Sequence, residues 1–360
     1  MAELVDHLAE LTGFRDRELL DVTLVSALRD LLRPRAVAIY RSVGEAGHER
    51  WLTRARLQAG ELAARADPGW VDLESLPAHH EHPARLDAFR RQSIVQLPGP
   101  VHLTLFPVAT DRESLGVMEV ESDAPLDERD QRLVMSILRI YRNFQALLDY
   151  SERDTLTGLL NRKTFDEAFY KVLASSLPVP GGQGLDRRSE SRAPLHFIGV
   201  VDIDHFKLVN DGHGHLIGDE VLLLLSRLMR SSFRFYDKLY RFGGEEFVVL
   251  MRCSGAADAA AAFERLRTNV QGYGFPQVGS ITVSVGFTQV QPGDTPSGAF
   301  ERADKAVDWA KGHGRNRVCS HAELLAMGVI DAGEFDRAAA VAAALFAAGQ
   351  RHAASRGLIL

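Results

Sequence analysis

The sequence predicts a two-domain chain, an α/β domain followed by an α+β domain, with a long helix between them. Three observations carry this. At 360 residues the chain exceeds one ordinary domain, and two of about 150 residues are the natural division. The first third runs helix, strand, long polar stretch, strand pair, helix. The second half alternates helical patterns with β-branched runs, as a mainly antiparallel sheet with helices does. With 46% hydrophobic and 25% charged residues, disordered and fibrous classes are excluded.

The elements follow in order. Leu19, Leu20, Leu24, Leu28 and Leu31 recur at helical spacing, and Pro34 ends that run. Ala36 to Tyr40 reads as a buried strand. Residues 42–96 are mixed, with turn signals at Gly44, Gly47, Pro68-Gly69 and Pro77. Within them Trp51 and Trp70 read as core or rim packing rather than a sensor pocket. His79-His80-Glu81-His82, between Pro77 and Pro83, reads as a surface loop rather than a metal site. His102 to Val108 and Leu115 to Val120 are strands, and Asp127 caps a long helix. Along that helix Leu133, Ile137, Ile140, Phe144, Leu147 and Ser151 step by fours and threes, a heptad seam. Two readings stay open: an amphipathic helix packed on its own domain, or a two-stranded stalk. The helix meets the next domain without a Gly or Pro break, which favours the stalk.

The second domain begins at Asp154. Pro178 to Pro194 is a Pro/Gly-rich and then charged surface loop. His196 to Asp202 is a strand, Val221 to Met229 a helix, and Leu239 to Met251 a hairpin turning at Gly243-Gly244. Ala256 to Val270 is a helix, Ser280 to Val290 a strand and Gly298 to Lys311 a helix, an α+β order of the ferredoxin-like kind. Ser320 to Leu360 is Ala-rich and reads as helical. The expected boundaries are 1–126, a stalk at 127–153, 154–319, and an extension at 320–360.

Charge and cysteine usage narrow the function. Forty-eight acids against 42 bases leave −6, so no global basic field points to nucleic acid. A small anionic ligand held by a few local cations stays open. Cys253 and Cys319 are the two cysteines, which excludes a disulfide framework or a cysteine-rich metal site. Met1 to Glu10 lacks a signal-peptide pattern, and the apolar stretch Ala338 to Gly349 falls short of the roughly 20 residues of a membrane span. A cytoplasmic protein is the expectation.

Asp202-Ile203-Asp204 closes a strand, and Gly243-Gly244-Glu245-Glu246 sits at a hairpin tip. Carboxylates at neighbouring strand ends can hold hard divalent cations while leaving positions for phosphate oxygens. The double glycine permits a tight turn and close approach of a ligand. Each signal alone is weak, since acids at strand ends are usually solvated.

Four segments agree in order and spacing. They are Asp154-Thr155-Leu156-Thr157-Gly158-Leu159-Leu160-Asn161-Arg162, Asp202-Ile203-Asp204-His205-Phe206-Lys207, Asn210-Asp211 through Gly214-His215-Leu216-Ile217-Gly218-Asp219, and Arg241-Phe242-Gly243-Gly244-Glu245-Glu246-Phe247. Together they resemble the signature of the GGDEF family, the diguanylate cyclases, in its GGEEF variant, over residues 154 to about 318. The first 150 residues more loosely resemble a GAF sensor domain, on Leu105-Phe106-Pro107-Val108, Leu115-Gly116-Val117-Met118-Glu119-Val120 and the helix after them.

The resemblance implies condensation of two GTP to cyclic di-GMP and two pyrophosphates, with two domains face to face in a homodimer joined through the stalk helix. It implies Mg²⁺ or Mn²⁺ on Asp202, the Ile203 carbonyl and Glu245, with Glu245 as proton acceptor and Glu246 beside it. Asn210, His215 and Asp219 match the guanine and ribose pocket, Lys207 the cation at the reacting phosphate, and Lys311 and Arg315 the grip on the terminal phosphates. Backbone N–H groups near Phe206 add to that cradle. Arg234 and Asp237 match an R-x-x-D product-inhibition site, a pair suited to guanine edges. The competing readings are a catalytically inactive cyclic di-GMP receptor and a partner-binding signalling protein.

Overall fold

The computed structural model describes residues 6, 9, 16–44, 47–68, 71–109, 114–175 and 195–331. The predicted loop 178–194, Trp70 and the Ala-rich tail beyond residue 331 lie outside the described residues. The chain divides into two compact units, Met1–Ser151 and Glu152–Leu360.

Unit 1 runs α1 (Arg17–Leu32), β1 (Ala36–Val43), β2 (Arg50–Gln58), α2 (Pro83–Arg91), β3 (Val95–Leu97), β4 (His102–Ala109), β5 (Ser114–Ser122) and α3 (Glu128–Glu152). Helix α1 starts where the Asp16 carboxylate accepts the Glu18 N–H at 2.7 Å. It stops at Arg33, which turns left-handed (φ 49°) directly before Pro34. The strands form one antiparallel sheet in the order β2-β1-β5-β4-β3. Side chains alternate across it. Val37 and Ile39 pack with Leu20, Leu24 and Leu28 of α1 and with α3, while Ala38 and Tyr40 pack with Trp51 and with Ala88 of α2.

Two expectations need correction. The mixed stretch 42–96 contains a nine-residue strand and a nine-residue helix. In β2 arginines interleave with buried Trp51, Leu52, Ala55 and Leu57, and a register slip opposite Ile39 and Tyr40 breaks the alternation that marks a strand. His79 is no surface loop residue. It is 8% exposed and stacks on Trp51 at 4.1 Å between ring centroids.

The heptad seam is not the buried stripe of α3. That stripe is Val134, Ile137, Leu138, Tyr141, Gln145 and Leu148. Of the seam only Ile137 is fully buried; Leu133, Ile140 and Phe144 flank the core, and Leu147 is 65% exposed. Two polar side chains enter the stripe because other elements satisfy them. The Tyr141 hydroxyl donates to Asp21, and the Gln145 amide donates to that hydroxyl at 3.0 Å. Arg17 donates to Gln145 at 2.6 Å and to Asp149 at 2.8 Å. Helix α3 is therefore packed on its own unit. Its N-terminus is capped as expected, by Asp127 accepting the Asp130 N–H at 2.8 Å.

Unit 2 runs β6 (Leu160–Asn161), α4 (Phe165–Ser175), β7 (Leu195–Ile203), α5 (Phe206–His213), α6 (His215–Ser232), β8 (Lys238–Gly243), β9 (Glu246–Cys253), α7 (Ala256–Gly272), β10 (Val283–Gln289), α8 (Pro296–Gly312), β11 (Val318–Ser320) and α9 (His321–Ala326). The sheet order is β11-β10-β7-β9-β8-β6. Its four central strands are antiparallel, and short parallel strands extend both edges. Omitting those edges leaves the expected βαββαβ order. Helices α6 and α7 cover strand residues Phe197, Val201, Phe247 and Val285. Helix α8 lies so close to β10 that a Cβ on Gly286 would stand 2.1 Å from the Ala303 carbonyl oxygen. Only glycine fits there, and the small Ala303, Ala306 and Ala310 bring the end of α8 toward β7.

Candidate functional site

The centre of the site is where β7 ends. Asp202 lies directly across from Glu246 of β9, and Gly243-Gly244-Glu245 makes the turn between β8 and β9. The Lys311 ammonium, from the last turn of α8, donates to Asp202 Oδ2 at 2.8 Å. Asp202 is 4% exposed. Burial raises its pKa despite Lys311, and the same carboxylate holds Lys311 in its charged form. Glu245 is also raised, by burial first and then by Asp202. Asp304 on α8 is pushed up to about 6 by burial, Asp308 and Glu246. Carboxylates thus outnumber the local cation.

Asp204, two residues on, is built differently. It accepts from Thr282 Oγ1 at 2.6 Å, Ser284 Oγ at 2.7 Å and the Asn316 N–H at 3.0 Å. Those bonds tie the end of β7 to β10 and to the loop at Arg315 and Asn316, which are both left-handed (φ 58° and 46°). Asp204 therefore positions the Arg315 loop rather than facing a ligand.

The residues expected to meet the nucleotide sit on α5 and α6, which follow β7 at once. Lys207, His215 and Asp219 are exposed and Asn210 is half-buried. The two helices meet closely, since a Cβ on Gly218 would stand 2.0 Å from Asn210 Oδ1. Phe206 opens α5 behind a left-handed His205 (φ 59°), which leaves the first N–H groups of the helix outward.

The hairpin turn is braced from below. Arg241 donates to the Gly244 carbonyl at 2.9 Å and 3.2 Å and to Asp154 at 3.1 Å. Asp154 in turn accepts from the Thr157 N–H and hydroxyl at 2.8 Å and 2.7 Å. Both residues stand in the quoted motifs, but their pairing was invisible at a separation of 87 residues.

Arg234 and Asp237 form their own unit between α6 and β8. The Arg234 N–H donates to Asp237 Oδ2 at 2.9 Å, and its guanidinium donates to the Tyr236 hydroxyl at 2.6 Å. Asp237 Oδ1 is buried with no hydrogen-bond partner, and burial pushes this carboxyl up to about 6.

Among the described residues no three His, Cys, Asp or Glu side chains form a metal cluster. The donor set at the β7 edge fits a hard divalent cation nonetheless: two carboxylates and a carbonyl, with repulsion between Asp202 and Glu245 that a cation would relieve. Among the described residues no helix is long and apolar enough to cross a membrane.

Comparison with known proteins places this geometry. Residues 151–317 match the family model "Diguanylate cyclase, GGDEF domain". Diguanylate cyclase DgcP of Pseudomonas aeruginosa is 38% identical over 46% of this chain and 23% of its own length. Diguanylate cyclase DgcZ of Escherichia coli is 34% identical over 48% and 57%, and response regulator PleD of Caulobacter vibrioides 37% over 50% and 38%. The match thus spans from just under a quarter to just over half of these relatives' length. The crystal structure of the GGDEF domain of DgcB from Caulobacter crescentus in complex with c-di-GMP aligns with 48% of this chain and 96% of that one, at 32% identity and a TM-score of 0.42. The second unit of this chain, over residues 151–317, is a GGDEF domain of the diguanylate cyclase type.

Proposed function

We propose that the chain condenses two GTP to cyclic di-GMP and two pyrophosphates, that it works as a homodimer, and that unit 1 is a GAF-like regulatory domain. The observation that carries the catalytic reading is the Asp202–Lys311 contact beside Glu245 and Glu246. It sets carboxylates and a phosphate-binding cation at one strand end. Asp202, Glu245 and the Ile203 carbonyl would hold Mg²⁺ or Mn²⁺, which supplies charge neutralisation at the triphosphate. Asp219 accepts from guanine N1–H and N2–H₂, a pair of donors that adenine lacks. Asn210 and His215 complete the base and ribose contacts. Lys207, Lys311 and Arg315 hold phosphate oxygens. Glu245 takes the proton of the 3′-hydroxyl as that oxygen attacks the α-phosphorus of the facing GTP and pyrophosphate leaves. Two half-sites are needed, so one chain alone supplies no complete centre.

Arg234 and Asp237 serve as the product-inhibition site. The exposed Arg234 guanidinium supports this, because it can donate to guanine N7 and O6. The experiment is a progress curve of the purified chain with GTP and Mg²⁺, read by nucleotide chromatography, with ATP as control. Cyclic di-GMP should form from GTP alone and level off early, and R234A should carry the plateau higher at a similar initial rate. No product from folded protein would leave the receptor reading in place.

A further inference from the structure

In unit 1, α3, β4 and the residues after α2 enclose a groove of about 660 Å³, within the size range of small-molecule sites. Its floor is apolar: Ile94, Pro107, Val108 and Leu138. Met135, 40% exposed, forms an adaptable wall. Three arginines of α3 line it, Arg132, Arg139 and Arg142, against one acid, Glu128.

Arg132 donates to the Glu128 carbonyl at 3.1 Å. Arg139 and Arg142, three apart and so neighbours on the helix surface, have no hydrogen bond or ion pair among the described residues. Arg17, Arg35, Arg54, Arg56 and Arg85 of the same unit each meet a carboxylate, whereas this unpaired couple stands at the groove. A guanidinium is a planar donor set matched to carboxylate or phosphate oxygens. Two of them bonded to no acid, above an apolar concavity, are complementary to one kind of molecule.

We propose that this groove binds a small amphipathic organic anion, its apolar body on Ile94, Val108 and Met135 and its acidic head between Arg139 and Arg142. One wall is α3, the helix whose last turns adjoin unit 2 in the chain. The proposal supplies a ligand class for unit 1 and takes its biological sense from the regulatory reading. Its test does not depend on catalysis.

The probe is dodecanoate below its micelle concentration, titrated calorimetrically into the full chain, with dodecyltrimethylammonium as the opposite-charge control. Saturable uptake of one dodecanoate per chain is expected, with little of the cation. R139E/R142E should weaken it by about tenfold or more, and M135W should weaken it by filling the groove with the charges intact. R129E, a charge reversal elsewhere on α3, should leave it unchanged, with circular dichroism confirming fold throughout. Equal uptake of the cation, uptake that never saturates, or full binding by R139E/R142E would overturn the proposal. So would a wild type that takes up no dodecanoate while R139E/R142E dissociates a dimer, which would assign the groove to a second copy. Any of these leaves the GTP assay, which reads unit 2, untouched.

Discussion

Unit 1 and the β7 edge of unit 2 both bury charge, and they treat it in opposite ways. In unit 1 Arg85, 5% exposed, donates twice to Glu119, at 2.9 Å and 3.2 Å, and lies over the Tyr40 ring at 3.5 Å. Arg54 meets Asp21 at 2.7 Å in the same manner. At the β7 edge Asp202, Glu245, Glu246 and Asp304 surround Lys311, and three of the four are raised by burial and by one another. The fold does not impose that excess. Asp204, two residues from Asp202, is fully bonded. Matched charge fixes a structure, whereas an excess of carboxylates suits a site that takes up a cation.

Removing a carboxylate should therefore act in opposite directions in the two regions. The largest effect is expected from E245Q. It should lower cyclic di-GMP synthesis by about a thousandfold or more while the melting temperature holds or rises. Turnover within tenfold of wild type in a folded dimer would remove Glu245 from the reaction. Next comes E119L in unit 1, which strands Arg85 in the core and should cost about 3–5 kcal/mol in urea unfolding. R85M/E119L should regain most of it, because an apolar pair needs no partner. If the double variant is as unstable as the single one, packing rather than charge holds that face.

The smallest effect is D304N, and its sign depends on pH. The folded carboxyl titrates near 6, above the ordinary value of about 3.9. Between the two the folded state keeps a proton that the unfolded chain releases. Stability therefore falls as pH rises from about 4 to 6, and the cost is complete above that. D304N should raise the melting temperature by on the order of a few degrees at pH 7.5 and change little at pH 4. An equal shift at both values would show that the carboxylate charge is not the cause.

The site was more legible than the scaffold around it. Asp202, Glu245 and Asp219 stand in short local segments, and the resemblance those segments carry together marks them. Asp204 stands in the same segment, yet its partners Thr282, Ser284 and Asn316 lie 78 to 112 residues away, so its role emerges only once β10 and the Arg315 loop are folded beside it. Asp304 was passed over for a similar reason. A carboxylate on a helix looks solvated until Gly286 admits that helix to the sheet. On α3 the count of large apolar residues did not pick out the face buried on its own unit, because Tyr141 and Gln145 are buried by hydrogen bonds to Asp21 and Arg17 that a hydrophobic pattern does not see.

The brace under the hairpin turn has a mechanical consequence. The chain enters unit 2 at Glu152, and Asp154 is bonded through one guanidinium to the carbonyl of Gly244. The entry point and the turn carrying Glu245 are thus ends of one strut, not points at opposite ends of a long slack thread. Twist applied to the backbone at Arg153 would load Gly244 directly. A guanidinium is planar and makes its four bonds here in a fixed fork, so it resists rotation as well as stretch. A lysine at position 241 could reach the same oxygens but would turn freely about its single nitrogen, and the strut would become a tether.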